Sequence, residues 1–161
     1  MPIPATWPVE VQARARKFLA LWKYYRFSRT LSECAVPHYD AHIRGSQRDH
    51  LEVLRGIALI SYWIASLNTL VEGWTELKLS DPTIDSILSE EKRAVLKRYR
   101  HTVFHFQGDL DESKIKALST DGDVIRWVFQ LGDAFQAFFD PHADGIMVGL
   151  IHSWLFGVQN K

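Results

Sequence analysis

Apolar residues in this chain recur at spacings of three and four, and no convincing stretch alternates. Phe18, Leu21, Trp22 and Tyr25 form one such stripe; Val124, Trp127, Val128, Leu131, Phe135 and Phe138 form another. A 3.6-residue period puts each set on one helix face, and without a period-2 run there is no sheet for those faces to cover. Packing helix on helix is the way left to bury them. Short links between long helices make neighbours antiparallel, so the expected fold is all-α: an up-and-down bundle of four to five helices.

Capping residues set the expected boundaries. Pro8 suits a first helical position, and good helix formers carry that helix to about residue 30. Residues 37–45, with Pro37 and Gly45, read as a turn. Ser46-Gln47-Arg48-Asp49 reads as an N-cap with an acidic residue three positions on, opening a helix to about residue 79. Its stretch from Ile57 to Leu70 is apolar on most faces and is expected to be the most buried. Asp81-Pro82 and Ser89-Glu90-Glu91 mark two further starts, and the second helix should reach Gln107 before Gly108. A charged loop, the Val124–Phe138 helix, a stop at Pro141 and one short tail helix complete the order.

The 161 residues, 47% of them apolar, suit one helical domain with a core over 8–140 and a tail over 141–161. One cysteine, Cys34, rules out a disulfide framework and reads as a small buried apolar residue. Nineteen basic and nineteen acidic side chains cancel, but residues 1–50 carry eight basic and four acidic groups, and 108–161 carry four and eight. The start, Met1-Pro2-Ile3-Pro4, has neither a basic n-region nor an apolar h-region, so the expected location is cytoplasmic. The uncharged runs 56–71 and 145–159 fall short of the roughly 20 residues of a spanning helix, so no membrane partner is expected.

Chemistry concentrates on the helix ending near Gln107. At 100° per residue, Val95, Leu96, Tyr99, Val103 and Phe106 share one face. Arg98, His101, Thr102 and His105 share the other, Arg100 sits at the edge between them, and Phe104 points away from the core. His101 and His105 are four apart and can act on one phosphate. An outward phenylalanine beside them asks for a partner surface.

The string Arg100-His101-Thr102-Val103-Phe104-His105 resembles the signature of the HEPN (higher eukaryotes and prokaryotes nucleotide-binding) superfamily: Arg, four to six residues, then His, with a polar residue after the Arg. Arg44 to His50 and Arg98 to His105 also fit the bare spacing. Only the Arg100 match has the polar second residue, the aromatic before His and the family's place in the helix order. The resemblance implies an HEPN-like bundle and a homodimer that pairs the two motif helices through Phe104 into one cleft. It implies a metal-independent endoribonuclease, in some members a toxin or antiphage component held by an antitoxin or regulatory protein. Arg100 and His105 would be catalytic, Arg98 and His101 would hold RNA, and no cofactor or metal would be needed. Asn68 and Glu72 are candidates for the polar helix residue some members add. Gln107 stands where some toxin members carry a modifiable Tyr, which argues against regulation by that route. The alternative is a non-catalytic dimer of the same fold that binds nucleotide, RNA or a protein.

Other constellations are weaker. His38 and His42 are four apart, but in a turn they lose helical geometry. No His follows an acidic residue at the Glu-x-x-His spacing a di-iron bundle uses. The first helix interleaves Arg14, Arg16, Lys17, Lys23, Arg26 and Arg29 with Phe18, Trp22, Tyr24, Tyr25 and Phe27, a mixture able to grip single-stranded nucleic acid. Because the stripe through Trp22 and Tyr25 is needed for packing, the aromatics read as core and the charges as solvated.

Overall fold

The computed structural model describes residues 6, 8–45, 49–104 and 122–142. They form five α-helices and no strand: α1 (Val9–Ile43), α2 (His50–Glu76), α3 (Pro82–Ile87), α4 (Glu90–Phe104) and α5 (Gly122–Phe139), with a 3-10 turn over Asp140–His142. The all-α bundle expected from the periodicity is the fold. The expected charged loop, the end of the fourth helix beyond Phe104 and the tail helix lie outside the described residues.

α1 and α2 run antiparallel. Lys17 meets Glu76 at 2.7 Å, and four residues further along α1 Leu21 lies against Gly73. A Cβ at Gly73 would stand 2.6 Å from Leu21 Cδ1, so a glycine allows this close approach. α4 runs antiparallel to α2 on another side, with Arg93 bonded to Thr75 and Phe104 beside Tyr62. α5 brings the largest rings: Phe129 packs edge-on against Trp63, Phe135 and Phe138 against Trp74, and Phe139 stacks on Tyr25. Trp74, Phe135, Phe139, Leu67, Leu70 and Leu96 are among the largest fully buried side chains.

Caps behave as their side chains require. Asp81 accepts from the Thr83 and Ile84 amides, and Pro82 fills a first position that has no amide partner to lose. Ser89 Oγ accepts from the Lys92 amide at 3.2 Å ahead of α4.

Five expectations change. α1 does not stop near residue 30; it runs through Pro37 to Ile43, because Ala35 is fully buried and Tyr39 packs on the Phe129 ring. That packing outweighs the one hydrogen bond and the carbonyl clash Pro37 brings. His38 and His42 therefore share one helix after all, although among the described residues no three His, Cys, Asp or Glu side chains cluster for a metal. Cys34 is exposed, not buried, since the continued helix turns it outward. α2 is capped by Asp49 instead of Ser46, Asp49 Oδ1 accepting from the Leu51 amide at 3.1 Å. It ends at Glu76, where Lys78 adopts φ 51° and the Leu79 amide folds back to the Trp74 carbonyl at 3.1 Å.

Burial along α2 also departs from its apolar pattern. Apart from Gly56, burial begins at Ser61; Leu51, Leu54 and Ile57 are exposed. By length and composition α2 could cross a membrane, and 44% of its most apolar window is buried inside the bundle.

Candidate functional site

α4 presents two faces, as its spacing requires. Leu96 and Tyr99 are buried, and Val95 and Val103 pack against the core. The Tyr99 hydroxyl shares a 3.0 Å hydrogen bond with Ser61 of α2. Burial pushes its pKa up, partly offset by that bond. Tyr99 thus fixes the rotation of α4, and with it the direction in which Arg98, Arg100, His101 and Phe104 leave the helix.

Arg100 is not adrift in solvent. Its Nη1 donates to both Glu72 carboxylate oxygens, at 2.9 and 3.2 Å. Asn68, one turn before Glu72 and 3% exposed, donates Nδ2 to the same Oε1 at 2.9 Å. The order is buried amide, carboxylate, guanidinium, from core to surface. Both charged side chains stay about half exposed, at 45% for Arg100 and 49% for Glu72. An exposed pair of this kind contributes at most about 1 kcal/mol to stability, so its main effect is orientation. Nε and Nη2 of Arg100 have no partner among the described residues, which leaves one edge of the guanidinium for an anion.

Around this point the other motif residues are distributed as the helix dictates. His101 is exposed in the last turn of α4. Arg98 is exposed one turn earlier, its carbonyl accepting from the Thr102 hydroxyl at 3.0 Å. Phe104 is 57% exposed and lies against Tyr62, itself 46% exposed, with ring centroids 5.8 Å apart. Leu51 lies on the Tyr62 face of α2 and Leu54 at its edge, both exposed, with the exposed Arg55 between Leu51 and Tyr62. His105 lies outside the described residues.

Sequence spacing singled out Arg98, Arg100, His101 and Phe104, and the family resemblance offered Asn68 and Glu72 as candidates for a further polar residue. The structure brings Asn68, Glu72 and Arg100 together across 28 residues of chain. A separate cavity of about 340 Å³ opens between α1, α2 and α5, walled by Tyr25, Arg29, Trp63, Phe129 and Asp133. No α4 residue lines it, so this cavity is not formed by the motif helix. Compared with protein-family models, with curated proteins and with solved structures, the chain finds no match.

Proposed function

We propose that this chain is a metal-independent endoribonuclease acting as a homodimer, the activity its resemblance to HEPN proteins implies. The observation that carries the reading is the Asn68–Glu72–Arg100 relay. It holds a guanidinium at a fixed angle on the helix that leads to His105, with Nε and Nη2 unpaired among the described residues. Such a group suits phosphate oxygens, because its charge is permanent and its fork is planar.

RNA supplies its own nucleophile in the 2′-hydroxyl. A base takes the 2′-proton, O2′ bonds to phosphorus, the P–O5′ bond breaks, and an acid protonates O5′. The products are a 2′,3′-cyclic phosphate and a 5′-hydroxyl end. A histidine near neutrality serves either proton transfer. In a dimer one His105 takes the first proton and the partner's His105 gives the second, while Arg100 carries the charge that builds on the phosphate. Arg98 and His101 hold the flanking backbone. The exposed Tyr62–Phe104 pair, with Leu51 and Leu54, supplies apolar surface for the second copy.

Purified wild type, His105→Ala and Arg100→Lys, incubated with mixed cellular RNA and EDTA and scored for new 5′-hydroxyl ends, test this. His105→Ala should lower cleavage by about 10²-fold or more, the usual worth of a placed acid or base. Arg100→Lys should lower it by about tenfold or more, since an ammonium cannot reproduce the two-point grip. Light scattering should give a dimer for wild type and a monomer for Phe104→Asp. If wild type and His105→Ala leave the same RNA ends, the reading fails and the non-catalytic binding dimer replaces it.

A further inference from the structure

The outward face of α1 combines features that packing does not explain. Phe18, Trp22 and Tyr25 go into the core, as their stripe demands, but Tyr24 and Phe27 do not. They are 43% and 57% exposed, and their rings meet edge to face with centroids 6.5 Å apart. Lys23 Nζ lies over both, 5.2 Å from the Tyr24 centroid and 5.8 Å from that of Phe27. Phe27 and Arg16 are eleven residues apart, which puts them within about 20° of each other on the helix and about 16 Å apart along it. Ala20, exposed between them, leaves the path open.

Charge along this helix is uneven, with Glu10, Glu33 and Asp40 near its two ends. Residues 11–32 hold six Lys or Arg and no Asp or Glu. Two of the six are satisfied by carboxylates from outside the stretch, Lys17 by Glu76 and Arg29 by Glu33. Arg26 lies over the Trp22 ring. Arg14 and Arg16 have no acidic partner among the described residues. A protein partner that covered Tyr24 and Phe27 by hydrophobic contact alone would leave these cations uncompensated. A single-stranded polynucleotide offers both complements at once, a base for each ring and a phosphate for each cation.

We propose that the α1 face formed by Arg16, Lys23, Tyr24 and Phe27 is a docking surface for single-stranded RNA, separate from the Arg100 cluster. One base stacks on each exposed ring, and Lys23 turns from the rings to a phosphate. The choice of RNA over DNA rests on the ribonuclease reading above; the stacking and charge arguments do not.

The test is fluorescence anisotropy of a labelled twelve-nucleotide single-stranded RNA of mixed sequence, its DNA counterpart and an RNA duplex. The protein carries His105→Ala so that no probe is cut. A stacked base is worth about 1–3 kcal/mol, so Tyr24→Ala and Phe27→Ala should each weaken RNA binding by about fivefold or more. Both side chains are exposed, and circular dichroism checks that the helices survive. Arg16→Gln and Lys23→Gln should each lower the slope of log affinity against log salt by about 0.7. Duplex RNA, whose bases are not free to stack on the rings, should bind at least tenfold more weakly. Unchanged affinity in Tyr24→Ala and Phe27→Ala overturns the surface, whatever happens to cleavage. Equal binding of the DNA strand overturns the choice of RNA. Loss of binding in these variants alongside an inert Arg100 cluster sinks the ribonuclease reading and leaves the surface standing.

Discussion

At the scale of single residues, two positions show how local geometry and burial divide the work. Lys78 sits in the left-handed region, φ 51°, closing α2 with the Lys78 amide on the Thr75 carbonyl and the Leu79 amide on that of Trp74. That turn is the one glycine usually provides, and an L side chain there costs about 1–2 kcal/mol, partly offset by the greater freedom glycine has when unfolded. Lys78→Gly should therefore raise stability by about 0.5–1 kcal/mol, read as a higher urea midpoint with an unchanged slope. Tyr99 is the contrast. It is 3% exposed and bonded to Ser61, so Tyr99→Ala opens a cavity and orphans a buried hydroxyl. A loss of about 3–5 kcal/mol is expected, read as a lowered thermal melting point, and the proposed cleavage should fall only together with the fold. Both roles are only half legible in sequence. Spacing put Tyr99 in the core, but its tie to Ser61 spans 38 residues, and nothing local marks Lys78 as left-handed.

Among the elements, α1 tests the rule that proline ends a helix. Pro37 is exposed within a 35-residue helix, so replacing it disturbs no packing. Proline inside a helix is about 3 kcal/mol worse than alanine, offset by up to about 1 through the stiffer unfolded chain. Pro37→Ala is expected to stabilise the protein by about 2 kcal/mol in equilibrium denaturation; a loss would mean that the helix needs its proline bend to seat Tyr39 on Phe129. The same comparison shows what was readable. Asp81-Pro82 and Ser89 could be read directly, because a cap is a contract between neighbours in sequence. The passage through Pro37 could not, since it depends on Ala35 and Tyr39 meeting other helices. Nor could the exposed start of α2: periodicity marks Leu51 and Leu54 as apolar without saying that they stay exposed while Tyr62 meets Phe104 of α4. For the same reason the aromatics of α1 split, Trp22 and Tyr25 inward and Tyr24 and Phe27 outward, where composition treated them alike.

Taken as a whole, the molecule ties distant parts through the Tyr25 and Tyr99 hydroxyls, and these bear on its response to alkaline pH. Tyr25 of α1 donates to Asp140 beyond α5, and its pKa is raised by burial first, then by that bond and the Asp140 charge. Tyr99 is raised by burial as well. Above the ordinary tyrosine value of about 10 the unfolded chain binds fewer of these protons than the folded one, so stability falls as pH rises. The contribution is complete below pH 10 and drains away on the alkaline side, and Tyr25→Phe should flatten that limb of a stability–pH curve. Asp85 works in the opposite direction. Ser80 and Trp74 donate to it and hold its carboxyl below the usual range, so its share is present above about pH 4 and is lost as pH falls through the lowered value. Length has a further consequence. Thirty-five helical residues make α1 about 52 Å long, whereas a compact chain of 161 residues has a radius of gyration near 15 Å, a sphere about 40 Å across. A rod longer than that sphere raises frictional drag. A lone copy will elute from a sizing column slightly ahead of globular standards of 18.6 kDa.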